Sequence, residues 1–292
     1  AVIRKDGSLW TWGRNKYGQH GDGTKENRST PVRVGSDSDW IAVSEGGDHI
    51  LAMRKDGTLW AWGNNLYGQL GDGTREDRNT PVRVGSDSDW IAVSAGYNHS
   101  LAVRKDGTLW AWGTALSGQL GTGSKEPVEH APVRIGRDAD WVTMSAGSGY
   151  SLGVRKDGSL WAWGSIEFGD GTERNKSTPV RIGRDADWVA VSAGGGYQLG
   201  LRKDGTLWAW GSNFNGELGN GTRSESLTPV RVGRDADWVA VSAGGHSLAL
   251  RKDGTFWEWG ALQGDIDNPP IQTKPVRVNL ITVASLAADL KE

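Results

Sequence analysis

The sequence predicts an all-β chain that folds as a β-propeller of six four-stranded blades. A block that reads Arg-Lys-Asp-Gly-[Ser/Thr]-[Leu/Phe]-Trp-x-Trp-Gly occurs six times along the 292 residues. The steps between successive blocks are 50, 50, 51, 47 and 49 residues, and a fixed period of this size is typical of propellers and other arrays. The 44 Gly and 17 Trp indicate a chain that is rich in turns and strands. We therefore treat residues 1–292 as one domain of repeats of about 49 residues.

Each unit reads as four strands, named a to d, and the unit that starts at Trp90 shows them best. Strand a covers residues 90–94, strand b residues 99–104, strand c residues 108–112 and strand d residues 132–135. The Asp-Gly pair between strands b and c predicts a two-residue type I′ hairpin turn. Pro132 at the start of strand d suits an edge strand. Trp110 and Trp112 share one face of strand c, and we expect the tryptophans, which all occupy repeat positions, to pack blade against blade.

The two ends of the chain together supply one more blade. Residues 1–4 match the end of strand b, and residues 280–285 match strand a. The sequence therefore predicts a composite blade from residues 280–285 and 1–35, with the ring closed by the C-terminal strand pairing with the N-terminal blade. A seven-bladed-like ring and an open array are the alternatives.

Composition limits the classes of function. The 33 basic and 35 acidic residues leave a net charge of −2, which gives no reason to expect a nucleic-acid partner. No apolar run approaches the roughly 18 residues of a membrane span, so we expect no membrane insertion. The absence of cysteine excludes thiol nucleophiles and zinc–thiolate sites. Because the chain begins at Ala1 rather than Met, we favour a secreted or cell-surface protein over a cytoplasmic one.

The polar motifs favour architecture over catalysis. His49, His99 and His246 occupy one repeat position, which Tyr150 and Tyr197 take in two other units; a catalytic site would need dissimilar groups that converge. The Asp-x-Asp-Trp and Gly-Asp-Gly-Thr motifs recur from unit to unit, so we interpret them as loops and turns. We expect no enzyme activity, no cofactor and no metal.

Differences between units concentrate in the a–b links and c–d loops, which lie at the same end of the blades. Varied loops on a rigid scaffold are where binding usually occurs, and aromatic side chains make good anchors. We predict a non-enzymatic scaffold that binds a protein partner there. A structural building block that self-assembles is the alternative, because residues 35–44 recur unchanged at 85–94. The candidate binding residues are Tyr17, Tyr67, Tyr97, Asn98, Phe168, Phe214 and Asn215.

Residues 94–102 and 106–113, and the stretch 63–71, resemble the regulator of chromosome condensation repeat of the bacterial type. The resemblance covers nearly the whole chain and implies a β-propeller, usually with seven blades. Family members include an exchange factor, a plant photoreceptor and propellers that bind proteins. The exchange factor's wedge hairpin has no counterpart here. The photoreceptor's sensing tryptophans are replaced by Gly47, Tyr97, Ser148 and Gly195. The resemblance therefore argues against those two activities, and the fold alone does not choose among the other functions of the family.

Overall fold

The computed structural model of the chain describes residues 1–165, 169, 171, 175–262 and 271–278. Six antiparallel sheets follow one another along these residues, and they contain no helix. Five sheets have four strands, which pair in chain order, and the first has three. The strands of blades 1 to 3 are β1 Val2–Ile3, β2 Leu9–Gly13, β3 Arg28–Arg33, β4 Trp40–Glu45, β5 His49–Arg54, β6 Leu59–Gly63, β7 Arg78–Arg83, β8 Trp90–Ala95, β9 His99–Arg104, β10 Leu109–Thr114 and β11 Val128–Arg134. Those of blades 4 to 6 are β12 Trp141–Ala146, β13 Tyr150–Arg155, β14 Leu160–Gly164, β15 Lys176–Ile182, β16 Trp188–Ala193, β17 Tyr197–Arg202, β18 Leu207–Gly211, β19 Ser226–Arg231, β20 Trp238–Ala243, β21 Ser247–Arg251, β22 Phe256–Ala261 and β23 Ile271–Arg277.

The predicted β-propeller with six blades is confirmed. Strand a is the innermost strand, because the first strands of neighbouring blades contact one another (β4 with β8, β8 with β12, β12 with β16 and β16 with β20). The first blade contains strands b, c and d as β1, β2 and β3. Its predicted strand a, residues 280–285, lies outside the described residues, so closure of the ring remains a prediction. Within the residues that the structure describes, there is no helix long and apolar enough to cross a membrane.

The hairpin between strands b and c explains most of the repeated block. The Asp56 carboxylate accepts hydrogen bonds from the backbone N–H and the hydroxyl of Thr58, and the Thr58 hydroxyl in turn accepts one from the Trp60 indole N–H. The same three bonds recur in every blade. They hold the pKa of each hairpin Asp below its usual value. These carboxylates are therefore ionised at neutral pH.

The predicted two-residue type I′ turn is wrong. The Arg104 N–H donates to the Thr108 carbonyl, and the Gly107 N–H donates to the Arg104 carbonyl. Three residues therefore lie between the paired positions, and Gly107 has a φ of +79°. This is the three-residue loop that combines a type I turn with a left-handed Gly, and it differs from a type I′ turn by one added residue.

The hydrophobic core lies between the blades. Each blade has a front face that meets the next blade and a rear face, which carries the tryptophans, that meets the previous blade. In the joint between blades 2 and 3, Leu51 and Leu59 pack from the front against Trp90 and Trp112 on the rear. An indole N–H also crosses each of four joints to a c–d loop carbonyl of the previous blade: Trp62 to Gln19, Trp112 to Gln69, Trp163 to Gln119, and Trp259 to Glu217.

The outermost faces of blades 1 and 6 are exposed. On the rear of blade 1, Trp12 is 46% exposed, whereas its equivalent Trp62 is fully buried. On the front of blade 6, Phe256 is 45% exposed, whereas its equivalent Leu207 is fully buried. A cavity of about 190 Å³ lies beside Phe256 and Leu248 on that front face.

Candidate functional site

The meander places the loops at two opposite rims. The variable rim consists of the a–b links and c–d loops, and the collar consists of the b–c hairpins and the d–a loops. Neighbouring a–b links on the variable rim are joined directly: the Gly47 N–H donates to the Gly96 carbonyl, and the Tyr97 N–H donates to the Gly147 carbonyl. The variable rim is therefore a connected surface and not a set of independent loops.

The c–d loops are also fixed across the joints. A Cβ on Gly21, the first glycine of a Gly-Asp-Gly-Thr motif, would lie 2.7 Å from the Trp62 indole nitrogen of the next blade. Within the second such motif, the Asp72 carboxylate accepts hydrogen bonds from the backbone N–H and hydroxyl of Thr74. The interpretation of this motif as a turn is confirmed, and its glycine is required by close packing.

Two of the predicted anchors on the variable rim are well exposed. Tyr97 is 58% exposed and Phe214 is 70% exposed. Asn98, beside Tyr97, is half-buried, and its carbonyl accepts the Thr114 N–H. Tyr97 and Ser148 stand among the glycines that line a cavity of about 370 Å³ where the a–b links converge.

The other predicted anchors are less accessible. Tyr17, Tyr67 and Asn215 occupy one loop position and are half-buried. The backbone N–H of each donates to the side chain two residues further along: Gln19, Gln69 and Glu217 respectively. This position forms part of the turn. The last candidate, Phe168, lies outside the described residues.

Two exposed leucines of the variable rim were not among the predicted anchors. Leu66 is 59% exposed and Leu116 is 73% exposed. They occupy the same loop position as Phe214, three residues after the Gly that follows strand c, so an alignment of the units would have grouped all three. Leu66, Leu116 and Phe214 together give the variable rim an apolar residue on blades 2, 3 and 5.

A concave region on this rim adjoins Leu116. A cavity of about 410 Å³ lies between residues 115–118 of the blade 3 loop, residues 124–127 of the same loop and Asn175 with Ser177 of blade 4. Blade 3 is the unit whose c–d loop has one extra residue, within residues 125–130. The added length therefore forms one wall of this cavity.

The repeated His/Tyr position lies beneath the rim and joins the blades. His49 Nε2 lies 2.9 Å from Ser100 Oγ of the next blade, and His99 Nε2 lies 2.9 Å from Ser151 Oγ. Tyr150 and Tyr197 also reach the next blade, where the single proton of the Tyr150 hydroxyl is shared between the Tyr197 carbonyl at 2.7 Å and the Gly194 carbonyl at 2.9 Å. Burial lowers the pKa of His49 and of His99 to about 3. Among the described residues, no group of three or more His, Asp or Glu side chains could hold a metal ion.

A sequence model described as the regulator of chromosome condensation (RCC1) repeat matches residues 6–53, 56–103, 106–154 and 204–250, which is well over half of the chain. The chain belongs to this family. A second model with the same description matches residues 40–69, 90–119 and 188–217 of the RCC1-repeat chain. No curated protein matches it.

Solved structures confirm the fold. Yeast RCC1 (Prp20), in a crystal structure bound to Kap60, is 21% identical with a TM-score of 0.82, over 95% of this chain and 72% of Prp20. A further structure of Prp20p from Saccharomyces cerevisiae, described with its binding properties to Gsp1p and histones, is also 21% identical, with a TM-score of 0.81 over 95% and 74% of the two chains. Human WBSCR16 is 23% identical with a TM-score of 0.76, over 83% of this chain and 67% of that protein. At this identity the likeness concerns the fold.

Proposed function

We propose that this RCC1-repeat propeller is a non-enzymatic scaffold that binds a protein partner through its variable rim. The observation that supports this most directly is the set of exposed apolar side chains there: Leu66, Tyr97, Leu116 and Phe214 are between 58% and 73% exposed. Large apolar side chains held out on a rigid, hydrogen-bonded frame provide contact area without a large cost in ordering.

Two further observations support the variable rim as a binding surface. The cavity of about 410 Å³ beside Leu116 offers a pocket in which a partner's side chain can be buried. Relatives of the same fold include Prp20, whose crystal structure was determined with Kap60 and which is described as binding Gsp1p and histones. Protein binding is thus a function that this fold supports elsewhere.

Affinity capture with the immobilised chain, followed by titration of the purified partner, tests the proposal. If the four side chains anchor the partner, replacing any one of them with Ser should weaken binding of the partner by more than about 1 kcal/mol. The variants are Leu66→Ser, Tyr97→Ser, Leu116→Ser and Phe214→Ser. Ile41→Ser is the matched control, because Ile41 is 50% exposed but lies at the collar end of strand a. A partner whose affinity changes only with Ile41→Ser binds the other end of the propeller, which would reject the proposal.

A structural building block is the second candidate, and the exposed end faces favour it. Phe256 and Leu248 on the front of blade 6, and Trp12 and Val2 on the rear of blade 1, are 37–46% exposed. Every other joint in the described chain brings such a front against such a rear. Sedimentation velocity across a range of concentrations separates the two candidates, since an assembling chain gains mass without any partner.

A further inference from the structure

In the collar, b–c hairpins alternate with d–a loops, and each of the described loops is hydrogen-bonded to the hairpin on either side of it. The Trp141 N–H donates to the carbonyl of Gly107 in the blade 3 hairpin, and the Lys156 N–H of the blade 4 hairpin donates to Asp140 in the same loop. The next two loops are held in the same way, between Gly158 and Lys203 and between Gly205 and Lys252. Residues on the loops and hairpins therefore follow one another around the collar in a fixed order.

Seven exposed cationic side chains follow one another in this way around the collar of blades 3 to 6. Each hairpin contributes a lysine and each intervening loop an arginine, in the sequence Lys105, Arg137, Lys156, Arg184, Lys203, Arg234 and Lys252. Among the described residues, none of the seven forms an ion pair. The acidic residues of the loops are already engaged: Asp138, Asp185 and Asp235 pair with the strand b arginines 155, 202 and 251.

The two parts of the collar differ in charge. The d–a loops that leave blades 1 and 2 read Gly-Ser-Asp-Ser-Asp, whereas the next three read Gly-Arg-Asp-Ala-Asp. Counted together with the arginine near the end of each strand d (Arg33 and Arg83), the hairpins of blades 1 and 2 and the loops that leave them contain six basic and six acidic residues. Counted in the same way, with Arg134, Arg181 and Arg231, the hairpins of blades 3 to 6 and the loops between them contain fourteen basic and ten acidic residues. The collar is therefore neutral on one side and carries a net charge of +4 on the other.

Apolar side chains lie next to the seven cations, which together form a basic arc around the collar of blades 3 to 6. Each β-bulge at the start of strand a leaves one aliphatic residue outside the regular pairing, as the register shift between Trp141 and Thr143 shows. The bulged residues Val142, Val189 and Val239 are 50–51% exposed. Each lies two residues after the last Asp of its loop, at the collar end of the innermost strand. Cations and apolar groups thus alternate along the same arc.

We propose that the collar of blades 3 to 6 binds an extended acidic peptide segment. Acidic side chains of the segment pair with Arg137, Arg184 and Arg234 and the neighbouring lysines, and its apolar side chains contact the valines of the bulges. This surface is distinct from the variable rim, so the two proposals stand or fall separately.

The arrangement favours a peptide over nucleic acid. A single-stranded nucleic acid gains much of its affinity by stacking bases on aromatic faces. The rings nearest the collar already carry a cation on one face: the Arg104 guanidinium lies 4.1 Å from the ring centre of Trp110, and Arg155 and Arg202 lie 4.0 and 4.1 Å from Trp161 and Trp208. The exposed neighbours of the arc are aliphatic, and these match apolar side chains and not a phosphate backbone.

The chain provides its own matched variants for a test. In the neutral loops Ser86 occupies the position of Arg137. The Ser86 carbonyl accepts a hydrogen bond from the Arg83 guanidinium, just as the Arg137 carbonyl accepts one from the Arg134 guanidinium. The triple variant R137S/R184S/R234S therefore keeps the loop's hydrogen bonds, and S36R/S86R adds cations to the neutral side. The probe is a fluorescein-labelled peptide of about twelve residues that alternates Glu with Leu, titrated by fluorescence anisotropy.

We expect R137S/R184S/R234S to weaken binding of the peptide at least about tenfold at low salt, and S36R/S86R to strengthen its binding. Replacing the Leu residues of the peptide with Ser should weaken it about tenfold as well. Equal affinity for the parent and the triple variant, or no binding at low salt, would overturn the proposal. An oligothymidylate of equal charge that binds as tightly as the peptide would show a nucleic-acid site instead. Melting curves of the variants verify that each remains folded.

Discussion

At the scale of single residues, His49 and His99 are held in one protonation state by their neighbours. The Ser100 hydroxyl has one proton and donates it to the Gln69 carbonyl, so it accepts from His49 Nε2–H. His49 Nδ1 is then the unprotonated nitrogen, and it is buried without a hydrogen-bond partner. His99 has the same arrangement with Ser151 and the Gln119 carbonyl. A proton added at either Nδ1 would have no acceptor and no access to water.

The protein should therefore lose stability in acid through these two residues. Burial lowers the pKa of both histidines to about 3, below the value of 6.5 expected in the unfolded chain. Their contribution is complete above pH 6.5 and is lost as the pH falls towards 3, because only the unfolded state takes up the protons. Each residue should reduce the free energy of unfolding by about 1.4 kcal/mol per pH unit in that window. Urea denaturation at a series of pH values measures this slope.

The repeats supply the control. Tyr197 occupies the equivalent position in blade 5 and lies 3.0 Å from the Ser247 hydroxyl of the next blade, so H49Y and H99Y place a side chain that this position already accepts. The double variant should have a shallower dependence on pH between 6.5 and 4. An unchanged slope would mean that other groups dominate acid unfolding.

At the scale of the structural element, the b–c hairpin and strand a are joined by one arginine. The Arg104 guanidinium lies 4.5 Å from the ring centre of Trp90 and 4.1 Å from that of Trp110, and it also pairs with Asp87. Equivalent sandwiches occur in every blade from 2 to 6. The arginine thus ties strands a, b and c of a blade to the loop that enters it.

Arg104→Ala should lower the free energy of unfolding by about 2–3 kcal/mol, because it removes two cation–π contacts and leaves Asp87 without its partner. Lys105→Ala is the adjacent control, and we expect a change within about 0.5 kcal/mol because the Lys105 side chain is exposed and forms no ion pair with any residue that the structure describes. Chemical denaturation of both variants gives the comparison. Similar losses in the two would show that the sandwich contributes little.

The elements were largely predictable from sequence, whereas the details of loops were not. The alternation of Trp110 and Trp112 and the Asp-Gly pair follow from local chemistry, so strands a, b and c were placed to within two residues. Strand d was placed wrongly: it begins at Val128, four residues before the predicted start at Pro132, because a proline can also lie inside an edge strand. The length of the hairpin loop was wrong because the pairing of Arg104 with Thr108 depends on backbone geometry that Asp-Gly alone does not determine. Leu66 and Leu116 were omitted because the choice of candidates favoured aromatic and amide side chains, and exposure of a leucine depends on which loop residue points outward.

At the scale of the whole molecule, the joints between blades determine stability, and closure of the ring would add one more joint. If residues 280–285 close it, as the sequence predicts, Phe256 becomes part of a joint. Phe256→Ala should then cost as much as Leu207→Ala, about 2–5 kcal/mol, in the full chain, and much less in a chain that lacks residues 280–292. That truncation should also lower Tm and promote aggregation through the exposed edge.

Leu207→Ala provides the reference, since Leu207 is fully buried in the joint between blades 5 and 6 and its cost should be the same in both chains. Thermal and urea unfolding of Phe256→Ala and of Leu207→Ala, each in the full chain and in the chain that lacks residues 280–292, complete the comparison. A small cost of Phe256→Ala in the full chain, with no effect of the truncation, would contradict closure by the C-terminal strand.

The indole-to-carbonyl bond that crosses four of the described joints has an evolutionary consequence. Because Trp62, Trp112, Trp163 and Trp259 all donate to the same loop position of the blade before, the two faces that meet in these four joints are interchangeable. Unequal recombination between two copies of the repeat within a gene would therefore add or delete one blade and preserve this bond at the joints that carry it. Residues 35–44 and 85–94, which are identical, are where such an exchange would leave no trace in the protein.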